Sequence, residues 1–273
     1  MNPSFPAKVT RIAILFTIAL ASCLSHANAQ GEKPAKDEKA QSVVQNAIKA
    51  MGGDRYLNVK TVIGRGFFTD YKDGVSGLPL RFVDYIVYPD KERTEFSGGG
   101  ARTIQTNDHD KGWIFDSAAI TLKDQTAEQL ADFRQATRTS IENLLRGTWQ
   151  AQGAKLTYIG RREAGVGRRN ETVRLTYADG FWIEYEFAAT DGLPAKILYQ
   201  RKHKKLDTEE VEELAEEDRL YKPISIDGIV ALYVNDHFIN GIQSSRTNYE
   251  SVEFNKPIAD SLFAKPASVK AVK

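Results

Sequence analysis

Most of this sequence is patterned for β-strands, with short segments in which apolar and polar residues alternate. In the segment 181–187, Phe181, Ile183, Tyr185 and Phe187 fall on one side of a strand and Glu184 on the other. Turn dipeptides of the Asp-Gly or Asn-Gly type begin at residues 73, 179, 191 and 240. Strands with one apolar face, joined by such turns, predict an antiparallel meander.

Two segments interrupt this pattern with helical spacing. Residues 39–51 carry an apolar stripe that ends at Gly52-Gly53, which predicts one amphipathic helix. Residues 126–150 predict one or two helices, with Thr126 as a cap and Gly147 as a stop. The segment 208–220 is ambiguous, because its composition favours a helix and the surrounding meander favours a strand. Strands are predicted at 59–68, 80–88, 93–96, 104–106, 113–115, 155–160, 171–177, 181–187, 195–200, 229–238 and 243–254.

The first 29 residues have the three parts of a secretory signal peptide. Lys8 and Arg11 precede the apolar run 12–21, and Ala-Asn-Ala at 27–29 is a cleavage motif. Residues 30–38 are polar and predict a flexible tether. These features predict export to the periplasm. The alternative is lipidation, because Leu-Ala-Ser-Cys at 20–23 resembles a lipobox, and Cys23 would then anchor the protein to the outer membrane.

Cys23 is the only cysteine in the chain, so cleavage after Ala29 would leave no disulfide, thiolate metal site or cysteine nucleophile. Of 37 basic residues, 35 remain without Lys8 and Arg11, against 36 acidic ones. A balanced charge of this kind argues against a nucleic-acid partner.

No motif in the sequence points to catalysis, a cofactor or a metal. His109, His203 and His237 lack metal-ligand spacing, and no nucleophile elbow or phosphate loop is present. Asp108 and His109 could form an acid-base pair, but they fall in a predicted hairpin turn, where solvated polar residues are common. We therefore predict no catalytic residues, no metal site and no cofactor, and a hydrolase is the least favoured hypothesis.

A basic run at 201–205 is followed directly by an acidic stretch at 207–218. Two interpretations remain open. The first is a solvated hairpin whose opposite charges neutralise each other across strands. The second is a docking patch for anionic lipid head groups or a charged protein, which would allow peripheral membrane contact.

The order of several short motifs resembles the periplasmic lipoprotein carriers and outer-membrane lipoprotein-sorting proteins of the LolA/LolB-like fold. The likeness spans residues 39–266. The matching stretches are 47–53 followed by 59–61, Pro89 with Arg93 and Phe96, 112–116, 179–180, 191–194, 223–224, 227–229 and 262–266.

The resemblance implies an α+β fold: an unclosed antiparallel β-barrel, or half-barrel, wrapped over the N-terminal helix and over the helical insertion as a plug or lid. It implies one domain over 39–266, followed by a loose tail at 267–273. It also implies an apolar cavity that holds lipid acyl chains or lipoproteins. The predicted ligand-binding residues on the inner face are Phe68, Phe82, Trp113, Phe115, Leu175, Ile183 and Tyr185.

Two functions follow from these expectations. The first is a non-enzymatic periplasmic carrier or receptor for lipids or lipoproteins. The alternative is an envelope sensor or interaction module that binds a protein partner and whose cavity is filled by its own helix 126–150. For each predicted ligand-binding residue, ordinary core packing is the competing explanation.

Overall fold

The structure, a computed structural model, describes residues 33–204 and 211–272; the predicted leader with Cys23 lies outside these ranges. Its strands form one antiparallel sheet, as the alternating sequence predicts. The strands are β1 (Thr61–Lys72), β2 (Val75–Ser76), β3 (Leu80–Val87), β4 (Lys91–Gly98), β5 (Ala101–Asp108), β6 (Lys111–Asp116), β7 (Thr121–Asp124), β8 (Lys155–Glu163), β9 (Arg169–Thr176), β10 (Trp182–Ala188), β11 (Pro194–Lys204), β12 (Val211–Ile226), β13 (Ile229–Ile239) and β14 (Ile242–Phe254).

The sheet is curved but not closed. Its order is β7-β6-β5-β4-β3-β1-β14-β13-β12-β11-β10-β9-β8, and β2 pairs only with β1. The two edges, β7 and β8, are consecutive strands in the chain, so the helical segment between them connects the two sides of the opening. This architecture confirms the predicted half-barrel with its helical insertion.

The N-terminal helix α1 runs over Lys33–Met51, and a short helix α2 follows at Asp54–Leu57. The start of α1 corrects the predicted tether, because residues 33–38 are helical. Pro34 does not prevent this, because proline is well tolerated in the first turn of a helix, where no backbone N–H partner is needed.

The insertion contains two helices, α3 (Ala127–Thr139) and α4 (Ile141–Leu145). Thr126 caps α3 as predicted: its hydroxyl accepts a hydrogen bond from the Gln129 backbone, and the Gln129 side chain accepts one from the Thr126 backbone. Ser140 separates the two helices by capping α4. Gly147 follows α4 with a left-handed φ of 75°, which confirms the predicted stop.

The main core lies between the helices and the half of the sheet formed by β9, β10, β11 and β13. The apolar stripe of α1 supplies Ala40, Val43, Val44, Ala47, Ile48 and Met51. The short helix α4 adds Ile141, Leu144 and Leu145 to the same cluster. Helices with one apolar stripe gain most of their stability from such packing, so α1 and α4 are fixed by the concave face that they fill.

The C-terminal tail is not loose. Val269 and Val272 pack against a second cluster made of Ile104, Trp113 and Phe115, and a 3-10 turn spans Val269–Ala271. The expectation for 267–273 is therefore wrong for residues 269–272. Two valines among small and polar residues give too short a pattern to signal packing in the sequence.

The ambiguous segment 208–220 is a strand over its described part, 211–220, within β12. Strands β11 and β12 pair with Lys202 opposite Glu213, and Lys196 Nζ lies 3.5 Å from a carboxylate oxygen of Glu217. Opposite charges thus face each other across the two strands, as in the hairpin interpretation. Residues 205–210, which include part of both charged runs, lie outside the described part of the chain.

Two acidic residues on the outer face of β10 are buried rather than solvated. Glu184 and Glu186 are 2% and 3% exposed, although the alternating pattern predicts a wet face there. Arg174 Nε donates to Glu184 at 3.0 Å, and Arg162 lies within ion-pair distance of both carboxylates. Both acids are therefore buried as ion pairs with arginines whose own side chains are 37% exposed.

We expect Glu184→Gln to lower the free energy of unfolding by about 1–3 kcal/mol, since it weakens buried charge-assisted hydrogen bonds to two arginines. The matched control is Glu253→Gln, whose partner Arg65 and own side chain are 43% and 40% exposed. For an exposed pair we expect about 1 kcal/mol or less. Urea unfolding of both variants measures the difference, and equal losses would contradict the assignment.

Candidate functional site: the cavity of the half-barrel

A cavity of about 460 Å³ lies between the helices and the middle of the sheet. Residues of α2, α3 and α4 form one wall, and residues of β1, β3 and β11 to β14 form the other. Helix α4 occupies the adjoining part of the concave face with its buried Ile141 and Leu144. The insertion therefore fills part of the half-barrel and leaves a cavity beside it, of the size that small-molecule sites usually have.

Apolar and aromatic side chains make up most of this wall. Val62 and Ile86 contribute from β1 and β3, Ile197 and Leu220 from β11 and β12, and Val252 from β14. Strand alternation places these residues on the inner face, because Val62 pairs with Ile86 across β1 and β3. Such a surface favours an apolar occupant.

Arg146 is the basic group at the helical end of the cavity. Its Nη1 donates to the carbonyl oxygens of Val59 and Leu57 at 3.0 and 3.3 Å, and its Nη2 donates to that of Tyr56 at 3.2 Å. The guanidinium also stacks on Tyr88, 3.9 Å from the ring centroid, and lies 5.0 Å from that of Tyr56. Arg146 thereby ties the end of α4 to the last turn of α2 and to Val59 beyond it.

Three carboxyl groups, those of Glu142, Asp84 and Glu92, lie near the same end. Glu142 lies close enough to Arg146 for the two charges to interact, and Asp84 lies close to Glu92. Burial raises the pKa of Glu142, and burial together with the nearby Glu92 raises that of Asp84. The Thr94 hydroxyl lies 2.9 Å from Asp84 Oδ1 and 3.3 Å from Glu92 Oε1, between the two carboxyls.

Tyr249 separates this carboxyl pair from the cavity. Its ring lies on Gly64, where an added Cβ would come within 2.5 Å of Tyr249 Cε1. Asp84 pairs with Gly64 across β1 and β3, so it is covered by that ring. The glycine is thus required by the close approach of an aromatic wall residue, which is a common reason for glycine within a strand.

At the other end of the cavity, His237 is held between two acids. Its Nδ1 lies 3.0 Å from Asp218 Oδ1, and its Nε2 lies 3.7 Å from Glu216 Oε2. Arg201 connects this group to α3, since it lies 3.9 Å from Glu216 and 2.9 Å from Asp132. Burial alone would lower the pKa of His237, but the bond to Asp218 and the charge of Glu216 outweigh it and raise the pKa above its usual value.

Five of the seven predicted ligand-binding residues lie on the inner face, as expected. Leu175, Ile183 and Tyr185 are fully buried in the main core beneath the helices. Phe68 and Phe82 lie along β1 and β3, joined through Phe96, with Phe82 stacked edge-on against Tyr249 at 5.3 Å. None of these five is part of the cavity wall in the described residues, so their role in binding stays a prediction.

The expected inner-face position of Trp113 and Phe115 is wrong. Residues that pair across neighbouring strands lie on the same face of the sheet, and Phe115 is connected in this way to Ile104, Glu95 and Val83. Asp84, the next residue after Val83, lies on the inner face under Tyr249. Val83, and with it Phe115, therefore lies on the outer face. There it is covered by the C-terminal tail, and Trp113 Nε1 donates to the Phe263 carbonyl oxygen at 2.8 Å.

The polar groups of the cavity were missed by sequence reasoning. Glu142 lies in α4 and Arg146 directly follows that helix, four positions on, a spacing more typical of an exposed ion pair. Tyr56 and Asn235 carry no local signal at all, and His237 was considered only for metal spacing. Their shared position becomes visible only once the sheet brings distant strands together.

Other features of the chain fall outside this site. Asp108 is the last residue of β5, and His109 lies in the β5–β6 turn with its side chain 60% exposed. In residues 33–204 and 211–272, no group of three or more potential metal ligands comes together. No helix in those ranges combines the length and apolar character needed to cross a membrane.

We expect His237 to make the stability of the fold depend on pH. Because its folded-state pKa is raised, its contribution is fully present below pH 6.5 and is lost as the pH rises through the folded value. His237→Asn should therefore cost more free energy of unfolding at pH 5.5 than at pH 8.5. Asp218→Asn should reduce the same pH dependence, since Glu216 still raises the pKa of His237. Urea titrations at both pH values measure this, and a pH-independent loss would contradict the assignment.

No protein-family model matches the sequence, and no curated protein matches it. Solved structures do match. The chain is similar to a DUF1329 family protein from Desulfovibrio piger, with 10% identity, a TM-score of 0.56, and coverage of 82% of this chain and 97% of that one. It is also similar to a LolA superfamily protein from Nitrosomonas europaea, with 12% identity, a TM-score of 0.52, and coverage of 83% and 97%. The chain therefore has a LolA-like fold.

Proposed function

We propose that this chain is an exported binding protein, without enzymatic activity, that holds the acyl chain of a lipid or lipoprotein. The cavity of about 460 Å³ between the half-barrel and its helices is the observation that carries this proposal. Its wall is largely apolar and lies on the concave face of a LolA-like fold. The resemblance of the sequence to lipoprotein carriers supports the same class of ligand.

Burial of methylene groups is sufficient to drive such binding. Each methylene removed from water contributes about 0.8 kcal/mol, so a dozen contribute on the order of 10 kcal/mol before the costs of association. The site then needs no reactive group. Carrier and receptor remain two forms of this proposal, since both hold the chain in the same way.

The competing hypothesis is an envelope interaction module whose cavity is closed by its own helices. The buried residues of α4 favour it in part, because this helix fills one end of the concave face. Helix α3 favours open access instead, since Thr139 is its one buried residue and the rest of its surface remains at least partly exposed. Ligand binding separates the two hypotheses.

A cavity-filling substitution tests the proposal. Val62→Trp places an indole in the cavity, where it would displace about two methylene groups of a bound acyl chain. Losing the burial of two methylenes should weaken acyl-chain binding about tenfold or more. The control is Val83→Trp, on the outer face of the adjacent strand, which should bind as the parent does. Calorimetric titration of delipidated protein with a series of acyl-chain amphiphiles measures both.

Failure of the parent protein to bind any acyl-chain amphiphile would contradict the proposal and favour the interaction module. Equal binding by both variants would place the ligand elsewhere on the molecule. In either case, circular dichroism of the two variants establishes that they share the parent fold.

The N-terminus decides between a soluble and a tethered protein. We expect the chain exported by a bacterial host to begin at Gln30, which would make it a soluble periplasmic protein. Intact-mass spectrometry of the mature protein measures this directly. A mass that retains Cys23 with added acyl groups would contradict the expectation and identify an outer-membrane lipoprotein.

A further inference from the structure

Helix α3 covers one side of the cavity without belonging to an apolar core. Its residues Ala136 and Thr139 line the cavity. Thr139 is the one residue of this helix that is buried, and in the described part of the chain no residue of Ala127–Thr139 joins either apolar cluster. Elements with little apolar packing lie at the low-stability end of a fold, so α3 is the wall of the cavity that moves most easily.

Two ion pairs fasten α3 to the sheet instead. Arg201 Nη2, from β11, lies 2.9 Å from Asp132 Oδ1. Arg138 Nη2 donates to both carboxylate oxygens of Asp179, at 3.0 and 3.1 Å, in the turn before β10. The side chains of Asp132 and Asp179 are 51% and 57% exposed, so each pair holds the helix only weakly.

The pair with Asp132 is connected to the polar end of the cavity through Arg201. Arg201 Nε also lies 3.9 Å from Glu216 Oε1, and the other carboxylate oxygen of Glu216 lies 3.7 Å from His237 Nε2. His237 Nδ1 in turn lies 3.0 Å from Asp218 Oδ1. Charges therefore alternate in one line from Asp132 on α3 to His237 on the cavity wall.

The charge of His237 decides how Arg201 is shared between two acids. Glu216 is 6% exposed, and among the described residues Arg201 and His237 are the two basic groups within ion-pair distance of it. When His237 is protonated, Glu216 has a second cation beside it. The like charge of His237 also repels Arg201, which favours the position at Asp132. When His237 is neutral, the buried carboxylate keeps one opposite charge, and this draws the guanidinium away from the exposed Asp132.

The charged groups around His237 come from neighbouring strands. They are Asp218 and Glu216 on β12 and Arg201 on β11. On β14, the partner of His237 is Ser245, which carries no charge. The Tyr199 hydroxyl beside Glu216 stays protonated, because burial and the nearby acids raise its pKa. Burial lowers the pKa of His237, but the two acids outweigh burial and raise it, so the imidazole changes charge above pH 6.5.

We propose that α3 is a pH-sensitive cover: protonated His237 keeps Arg201 at Asp132 and the helix closed over the cavity, and deprotonation loosens it. Access to the cavity is then greater at alkaline than at acidic pH. Because Arg138 and Asp179 remain paired, the helix loosens rather than detaches. The movement of α3 can be measured without a ligand, whereas its effect on lipid access rests on the proposed function.

Hydrogen exchange read by mass spectrometry tests the cover directly. Protection factors, which correct for the intrinsic pH dependence of exchange, are measured for α3 at pH 5.5 and pH 8.5, with α1 of the same molecule as the reference. We expect the protection of α3 relative to α1 to fall about two- to fivefold at pH 8.5, the range for an exposed ion pair. Unchanged or increased relative protection at pH 8.5 would overturn the inference.

Two matched substitutions separate this ion pair from a general loosening of the helix. Asp132→Asn removes the charge at the end of the line, so α3 should lose protection at pH 5.5 and change no further at pH 8.5. Asp179→Asn weakens the other ion pair of the same helix, at a carboxylate of similar exposure. It should lower protection at both pH values and retain the pH dependence. A retained dependence in Asp132→Asn, or a lost one in Asp179→Asn, would overturn the assignment.

His237→Asn assigns the effect to the imidazole. Its side chain is neutral at every pH, so α3 should be as weakly protected at pH 5.5 as the parent is at pH 8.5. A pH dependence that persists in the folded variant would overturn the role of His237. If this variant fails to fold, Asp132→Asn still decides, because its substitution lies at an exposed position.

Uptake of an uncharged pyrene-labelled alkane measures access to the cavity. The charge of this probe does not change with pH, so we expect its stopped-flow uptake rate in the parent to be about two- to fivefold higher at pH 8.5 than at pH 5.5. Asp132→Asn should take it up equally fast at both. Equal rates in the parent would overturn the control of access by α3. Absence of uptake with the contrast in hydrogen exchange intact would overturn the proposed function and support the cover alone.

Discussion

The packing of α1 and α4 against the concave face of the sheet is the contact on which the remaining structure depends. An antiparallel sheet of this length, with its edges at β7 and β8, cannot bury its inner face by itself. The helices fill the half formed by β9 to β11 and by β13, where Val173, Leu175, Ile183 and Tyr185 are fully buried. The sheet stays open because helices, rather than pairing of β7 with β8, cover that face.

This uneven filling produces the cavity. The helices cover one half of the inner face, while the aromatic row of Tyr249, Phe82, Phe96 and Phe68 extends along the other. The cavity lies between these two regions, where α4 ends and Arg146 turns back to the carbonyl oxygens near α2. Its wall combines the apolar surface of a core with polar groups that a core would exclude, since unpartnered buried polar atoms destabilise a fold.

Local chemistry in the sequence was sufficient to predict most of the strands, several turns and the ends of the insertion, whereas β2 and β7 are too short to show a pattern. Thr126 caps a helix and Gly147 ends one through interactions with residues close to them in the chain, so their roles can be recognised without tertiary information. Trp113 and Phe115 differ, because a strand with alternating apolar residues does not by itself specify which face of the sheet is covered. That choice depends on the register across five strands and on the C-terminal tail, neither of which has a local signal.

The polar part of the site lies beyond sequence reasoning for a related reason. Tyr56, Arg146 and Asn235 are separated by up to 179 positions in the chain, and each is unremarkable among its neighbours. What sets them apart is the absence of a partner after folding, which is a property of the packed structure alone. A protein that evolved only for stability would replace such groups with apolar ones of the same shape. In a largely apolar wall, these groups keep hydrogen-bonding capacity that the packed chain itself does not use.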